Sequence, residues 1–130
     1  MKSYEVTITN SLKPLAAKER IAVKNFDRAV ALDEATKDGN EVRIVVSNFV
    51  ECHVRNDKAK EGNSKEYDCF VIIDVNGDRY RSGSESLYNA FFDIYEEMIA
   101  EAPDEPIEII IYKQESKNYK GKGFLTCALA

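Results

Sequence analysis

The chain alternates between two periodicities, and the changes from one to the other mark its elements. Tyr4, Val6 and Ile8 alternate with polar residues, which predicts a strand over Met1–Asn10 that Pro14 breaks. Leu15–Phe26 mixes helix formers with Ile21 and Val23 two apart, and is expected to make a short turn followed by a strand. A brief helix opening near Asp33 is expected within Val30–Lys37, closed by a turn at Asp38-Gly39-Asn40. Val42–Val54 is the longest strand pattern, with a bulge or bend expected near Ser47-Asn48. Asn56–Lys65 reads as a polar loop, and Tyr67–Val75 as a strand with an apolar centre. Asn76-Gly77 then predicts a type I′ hairpin turn, so that Asp78–Ser82 returns with Arg79 and Arg81 on one side and Tyr80 on the other. The clearest helix spans Gly83–Glu101, with Ser84 as N-cap and Leu87, Ala90, Phe91, Ile94 and Met98 as its core stripe. Pro103 and Pro106 end it, and Ile107–Tyr112 and Phe124–Leu129 make a final strand pair.

A second helical stripe, Tyr88, Phe92, Tyr95 and Ile99, lies beside the first. It is covered either by the domain's own segments or by self-association, with a dimer the first expectation. At 130 residues, with 44% hydrophobic and 32% charged positions, the composition is that of one globular domain with a real core. The expected division is a barrel over 41–130 with residues 1–40 packed on it as an extension. No apolar run approaches a membrane span, and a cytoplasmic protein is expected. Three cysteines, Cys52, Cys69 and Cys127, without Cys-x-x-Cys spacing, read as reduced apolar residues and not as a disulfide or zinc framework.

The net charge of −5 conceals a polarity. Between Ser82 and Tyr112 there are eight acids and no Lys or Arg, so the remaining residues carry −5 less −8, or +3. The basic focus is Tyr112–Phe124, where Lys113, Lys117, Lys120 and Lys122 face the single acid Glu115 and are interleaved with Tyr112, Tyr119 and Phe124. Ammonium groups neutralise phosphates and flat rings stack on bases, which together is the chemistry of single-strand binding. Gly121 and Gly123 let the backbone turn there. An ordinary solvated hairpin loop is the plainer alternative. Arg79, Arg81, Arg43 and Arg55 are further phosphate candidates, and Tyr67 and Tyr80 further stacking candidates.

From Val42 onward the expected order is strand, strand, strand, helix, strand, strand. This is the order of the OB-fold, a five-stranded, partly open Greek-key barrel with its helix between the third and fourth strands. The expected class is therefore mainly β with one main helix. Leu12-Lys13-Pro14, Leu32-Asp33-Glu34-Ala35-Thr36, Tyr80-Arg-Ser-Gly-Ser-Glu-Ser86, Asp93-Ile-Tyr-Glu-Glu97 and Ser116-Lys-Asn-Tyr-Lys-Gly-Lys-Gly-Phe-Leu-Thr-Cys127 resemble the small single-stranded DNA-binding proteins of phages and prophages of Gram-positive bacteria. The resemblance implies an OB-fold that coats single strands in replication or recombination, as a dimer or higher oligomer. Where bacterial single-strand binders end in an acidic tail, this chain ends Leu125-Thr-Cys-Ala-Leu-Ala130, so recruitment of partners through such a tail is not expected.

No catalytic set emerges. His53 adjoins Cys52, but neighbours on a strand point to opposite faces and cannot act as base and nucleophile. One histidine does not make a usual zinc site, Asp74–Asp78 lacks the glutamate of a calcium loop, and Gly121-Lys122-Gly123 lacks the rest of a P-loop. No cofactor, metal or enzyme activity is expected. The main rival to strand binding is a protein-interaction module that uses the acidic helix as a DNA mimic, for instance to inhibit a host enzyme.

Overall fold

The structure, a computed structural model, describes residues 4–56, 65–115 and 123–130. In chain order its elements are β1 (Tyr4–Ser11), α1 (Ala17–Lys24), β2 (Val30–Ala31), α2 (Leu32–Ala35), β3 (Val42–Asn56), β4 (Lys65–Asp74), β5 (Arg79–Ser82), α3 (Glu85–Glu101), β6 (Glu108–Glu115) and β7 (Gly123–Leu129). The protein is mainly β with one long helix, as the periodicities predict. It forms two compact units, Met1–Val30 with Ser47–Gly83, and Ala31–Val46 with Ser84–Ala130. The long strand β3 contributes to both, and the boundary falls within it between Val46 and Ser47.

In the first unit, β1 pairs antiparallel with β3 from Tyr4↔Asn56 to Ser11↔Val50. The register slips between Ile8 and Asn10, so the bulge lies in β1 at Thr9, whose hydroxyl donates to the Glu51 carbonyl at 3.2 Å. Asn48 is buried, yet its side chain is satisfied: Oδ1 accepts from the Lys13 amide at 3.1 Å and Nδ2 donates to the Lys13 carbonyl at 3.2 Å. That clamp anchors the turn that follows β1. Val6, Val23, Val50, Cys52, Val54 and Val71 form the core, with Ile8, Leu15, Phe26, Cys69 and Ile73 packed against it.

Leu15–Phe26 departs from the expected turn and strand, because Ala17–Lys24 is helical. Glu19 Oε1 accepts from the Ala16 amide at 3.0 Å, satisfying an otherwise orphaned donor near the helix start. The spacing of Ile21 and Val23 imitates a strand, but only Val23 is buried while Ile21 is 70% exposed. With one anchor in the core, the run of Ala, Lys, Glu and Arg decides the backbone.

The β4–β5 hairpin pairs Phe70↔Ser82, Val71↔Arg81, Ile72↔Tyr80 and Ile73↔Arg79, as expected. Its turn is not type I′: Gly77 has a positive φ of 88° while Asn76 does not. The Gly77 amide donates to the Asp74 carbonyl at 2.9 Å, and Asp74 Oδ1 accepts from the Asn76 amide at 2.8 Å. The carboxylate thus fixes an ordinary first turn, and glycine alone supplies the left-handed residue that lets the Asp74 amide reach the Asp78 carbonyl at 2.8 Å.

In the second unit, β3 pairs with β6 (Val42↔Ile111 to Val45↔Glu108), and β6 with β7 in unbroken register from Ile109↔Leu129 to Glu115↔Gly123. Alternation puts Ile44, Ile109, Ile111, Leu125 and Cys127 on one face, and all five are buried. α3 packs against β7, and Ser86 Oγ donates to the Leu125 carbonyl at 2.7 Å, which occupies a polar group of that strand with the helix. Ser84 caps α3 as predicted, its Oγ accepting from the Leu87 amide at 3.2 Å. Leu87 and Phe91 are fully buried. The short α2 buries Leu32, whose carbonyl accepts from the Thr36 hydroxyl at 2.8 Å.

Candidate nucleic-acid interface

The face of the second unit's sheet opposite its buried isoleucines carries Tyr112 and Phe124 of the basic stretch. Cross-strand partners share a face, so Arg43 and Ile110 lie together, as do Tyr112 with Thr126 and Gln114 with Phe124. Tyr112 and Phe124 are therefore diagonal neighbours, the first half-buried and the second 38% exposed. Arg43 Nη1 lies 3.6 Å from Glu108 Oε1, an exposed pair of a kind that contributes little. Lys113 pairs with Leu125 and belongs by alternation to the other face, although its side chain is exposed. Lys117, Tyr119, Lys120 and Lys122, with Gly121, lie outside the described residues, in the seven positions that join the paired ends Glu115 and Gly123.

The first unit divides its candidates in the same way. Tyr67, Arg79 and Arg81 share the face of Val71 and Ile73, whereas Tyr80 shares the opposite face with Ile72. Arg79 is half-buried and its Nε has no hydrogen-bond partner among the described residues. It lines a cavity of about 400 Å³ together with Arg28, Val30, Gly77, Asp78 and Tyr80. Arg28 is a cation that the strand pattern did not bring forward. Burial, and then the carboxylates of Asp78 and Asp74, push the Tyr80 phenol up from its ordinary range.

Arg55 has an acid as its cross-strand partner. It pairs across the strands with Glu5 and shares a face with His53, which contacts Asp68 Oδ1 through Nδ1 at 2.8 Å and Glu66 Oε1 through Nε2 at 3.2 Å. These hydrogen bonds, Asp68 before Glu66, push the His53 pKa up from its ordinary value. A folded-state pKa above that of the unfolded chain contributes stability that is fully present below about 6.5 and is lost as pH rises through the folded value. His53→Gln is accordingly expected to lower the thermal midpoint more at pH 5.5 than at pH 8.5. The imidazole resonances of this sole histidine should titrate above 6.5, and a midpoint at or below 6.5 would contradict the contacts.

Among the described residues no three His, Cys, Asp or Glu side chains are grouped to hold a metal ion, and no helix is long and apolar enough to cross a membrane. Cys52 donates towards Cys69, and that hydrogen bond together with burial pushes the Cys52 thiol up. Burial pushes Cys127 up to about 11. On α3 the second stripe is partly self-covered: the Tyr88 and Phe92 ring centroids lie 4.7 Å apart, those of Phe92 and Tyr95 5.9 Å, and Ile99 remains exposed. Asp93, Glu96, Glu97 and Glu101 are exposed on the same helix. No protein-family model, curated protein or solved structure matches this chain.

Proposed function

We propose that this chain binds single-stranded DNA without sequence preference, coating it in phage replication or recombination, on a five-stranded OB-type barrel. The observation that carries the reading is the β6–β7 hairpin. Its in-register pairing sets Tyr112 and Phe124 on one face with Arg43 alongside, and its closing pair Glu115↔Gly123 is joined by a segment holding three lysines and a tyrosine. Rings for bases beside cations for phosphates is the combination that strand binding requires. Two further observations support it. From Val42 the elements run strand, strand, strand, helix, strand, strand, and β3 is followed outward by β4 and β5 in one unit and by β6 and β7 in the other. The Arg28–Arg79 cavity adds two guanidinium groups next to Tyr80, with an Nε lacking an acceptor. Assembly as a homo-oligomer, a dimer first, in the cytoplasm of a bacterial host belongs to the same reading.

Counterion release tests the lysine roles. Replacing Lys117, Lys120 and Lys122 together with glutamine is expected to reduce the slope of log affinity against log salt by about 2, at roughly 0.7 per phosphate contact. An unchanged slope would remove the basic segment from the interface.

A further inference from the structure

The N-terminal segment builds a second surface of related chemistry on the first unit. Two adjoining troughs of about 440 and 540 Å³ run beside β1 and α1 and share Tyr4 and Lys24. Val6, Ile8 and Arg20 line the first, and Ile21, Phe26 and Asp27 the second. Tyr4 is 44% exposed and Tyr67 46% exposed, and burial first and then the neighbouring Tyr67 phenol push the Tyr4 phenol up from its ordinary range. Two neighbouring half-exposed rings offer faces on which bases can stack.

The cations are equally well placed. Arg20 and Lys24 are four apart on α1 and therefore share a face of the helix. Arg20 Nη1 donates to the Leu15 carbonyl at 2.6 Å, which fixes the guanidinium. Opposing charge comes from Asp27, and from Glu5 only through its place in β1. Glu5 pairs with Arg55, so its side chain belongs by alternation to the other face of the sheet. Two cations thus face one acid beside an apolar, aromatic wall that includes the exposed Ile21.

We infer that this surface is a second contact for single-stranded nucleic acid, with bases stacking on Tyr4 and Tyr67 and phosphates held by Arg20 and Lys24. The inference rests on the proposed function and assigns to the N-terminal segment a share in the binding. A duplex, whose bases already stack on one another, has no free base face to offer these rings.

Photo-crosslinking of the wild-type protein to an oligothymidylate carrying 5-iododeoxyuridine, followed by peptide mapping, tests it. Adducts on the peptides containing Tyr4 or Tyr67 are expected. Adducts confined to other peptides, such as that of Phe124, would overturn the inference and leave the proposed function standing. Failure to bind the oligonucleotide at all would overturn both. Independently, Arg20→Gln with Lys24→Gln is expected to lower the salt slope by about 1.4, two contacts at roughly 0.7 each. An unchanged slope in a variant that melts like the wild type would also overturn it.

Discussion

Phe124→Ala is expected to weaken binding to an oligothymidylate by about 1–3 kcal/mol, the range for loss of one stacked base, which is roughly 5- to 150-fold in Kd. The ring lies on the open face of β7, diagonal to Tyr112, and is more than a third exposed, so its removal leaves no internal cavity. The thermal midpoint should therefore stay near that of the wild type. This separation of affinity from stability is what distinguishes a stacking residue from a packing one. An equal loss in both would make Phe124 a structural residue, and no loss in affinity would take it out of the interface.

Phe91→Ala is expected to do the reverse. The Phe91 side chain is fully buried, stacks near-parallel on Tyr95 at 6.0 Å and meets Phe92 edge-on at 5.1 Å. Truncating such a ring costs about 3–5 kcal/mol, from lost transfer energy and the cavity left behind. For a chain of this length that is a fall in the thermal midpoint of roughly 10–20 °C. Residual binding measured well below the new midpoint should be unchanged. A cost under about 1 kcal/mol would mean that α3 is not anchored through this position.

How much of this was readable from the sequence depends on whether a local signal had a competitor. α3 had none: its cap, its stripe and the prolines beyond it agree, and Ser84 caps it as expected. β3 through β5 were equally legible from apolar runs and the Asn-Gly turn signal. The turn type was not, because Asp74 supplies its own carboxylate to the Asn76 amide and overrides the usual preference of Asn-Gly. α1 was missed where two β-branched residues at strand spacing competed with helix formers, and only burial shows that Val23 alone is an anchor. Arg20 and Lys24 are neighbours because the segment is a helix, which a strand pattern does not show.

The candidate interface was legible as chemistry and less so as geometry. Alternation already set Tyr80 apart from Arg79 and Arg81, as the register has it, but counting charges and rings over Tyr112–Phe124 did not reveal that Lys113 belongs to the face opposite Tyr112. Arg55, an outlying phosphate candidate, lies opposite Glu5 and on the face of His53, which itself engages Glu66 and Asp68. Facing depends on register, which tertiary pairing sets.

The central claim is preference for an unpaired strand, and fluorescence anisotropy measures it directly. Titrating the protein into a labelled oligothymidylate at low and moderate salt, with a duplex of equal length beside it, should give tight, salt-sensitive binding to the single strand and markedly weaker binding to the duplex. No binding to the single strand at low salt, or equal binding to both forms, would contradict the account.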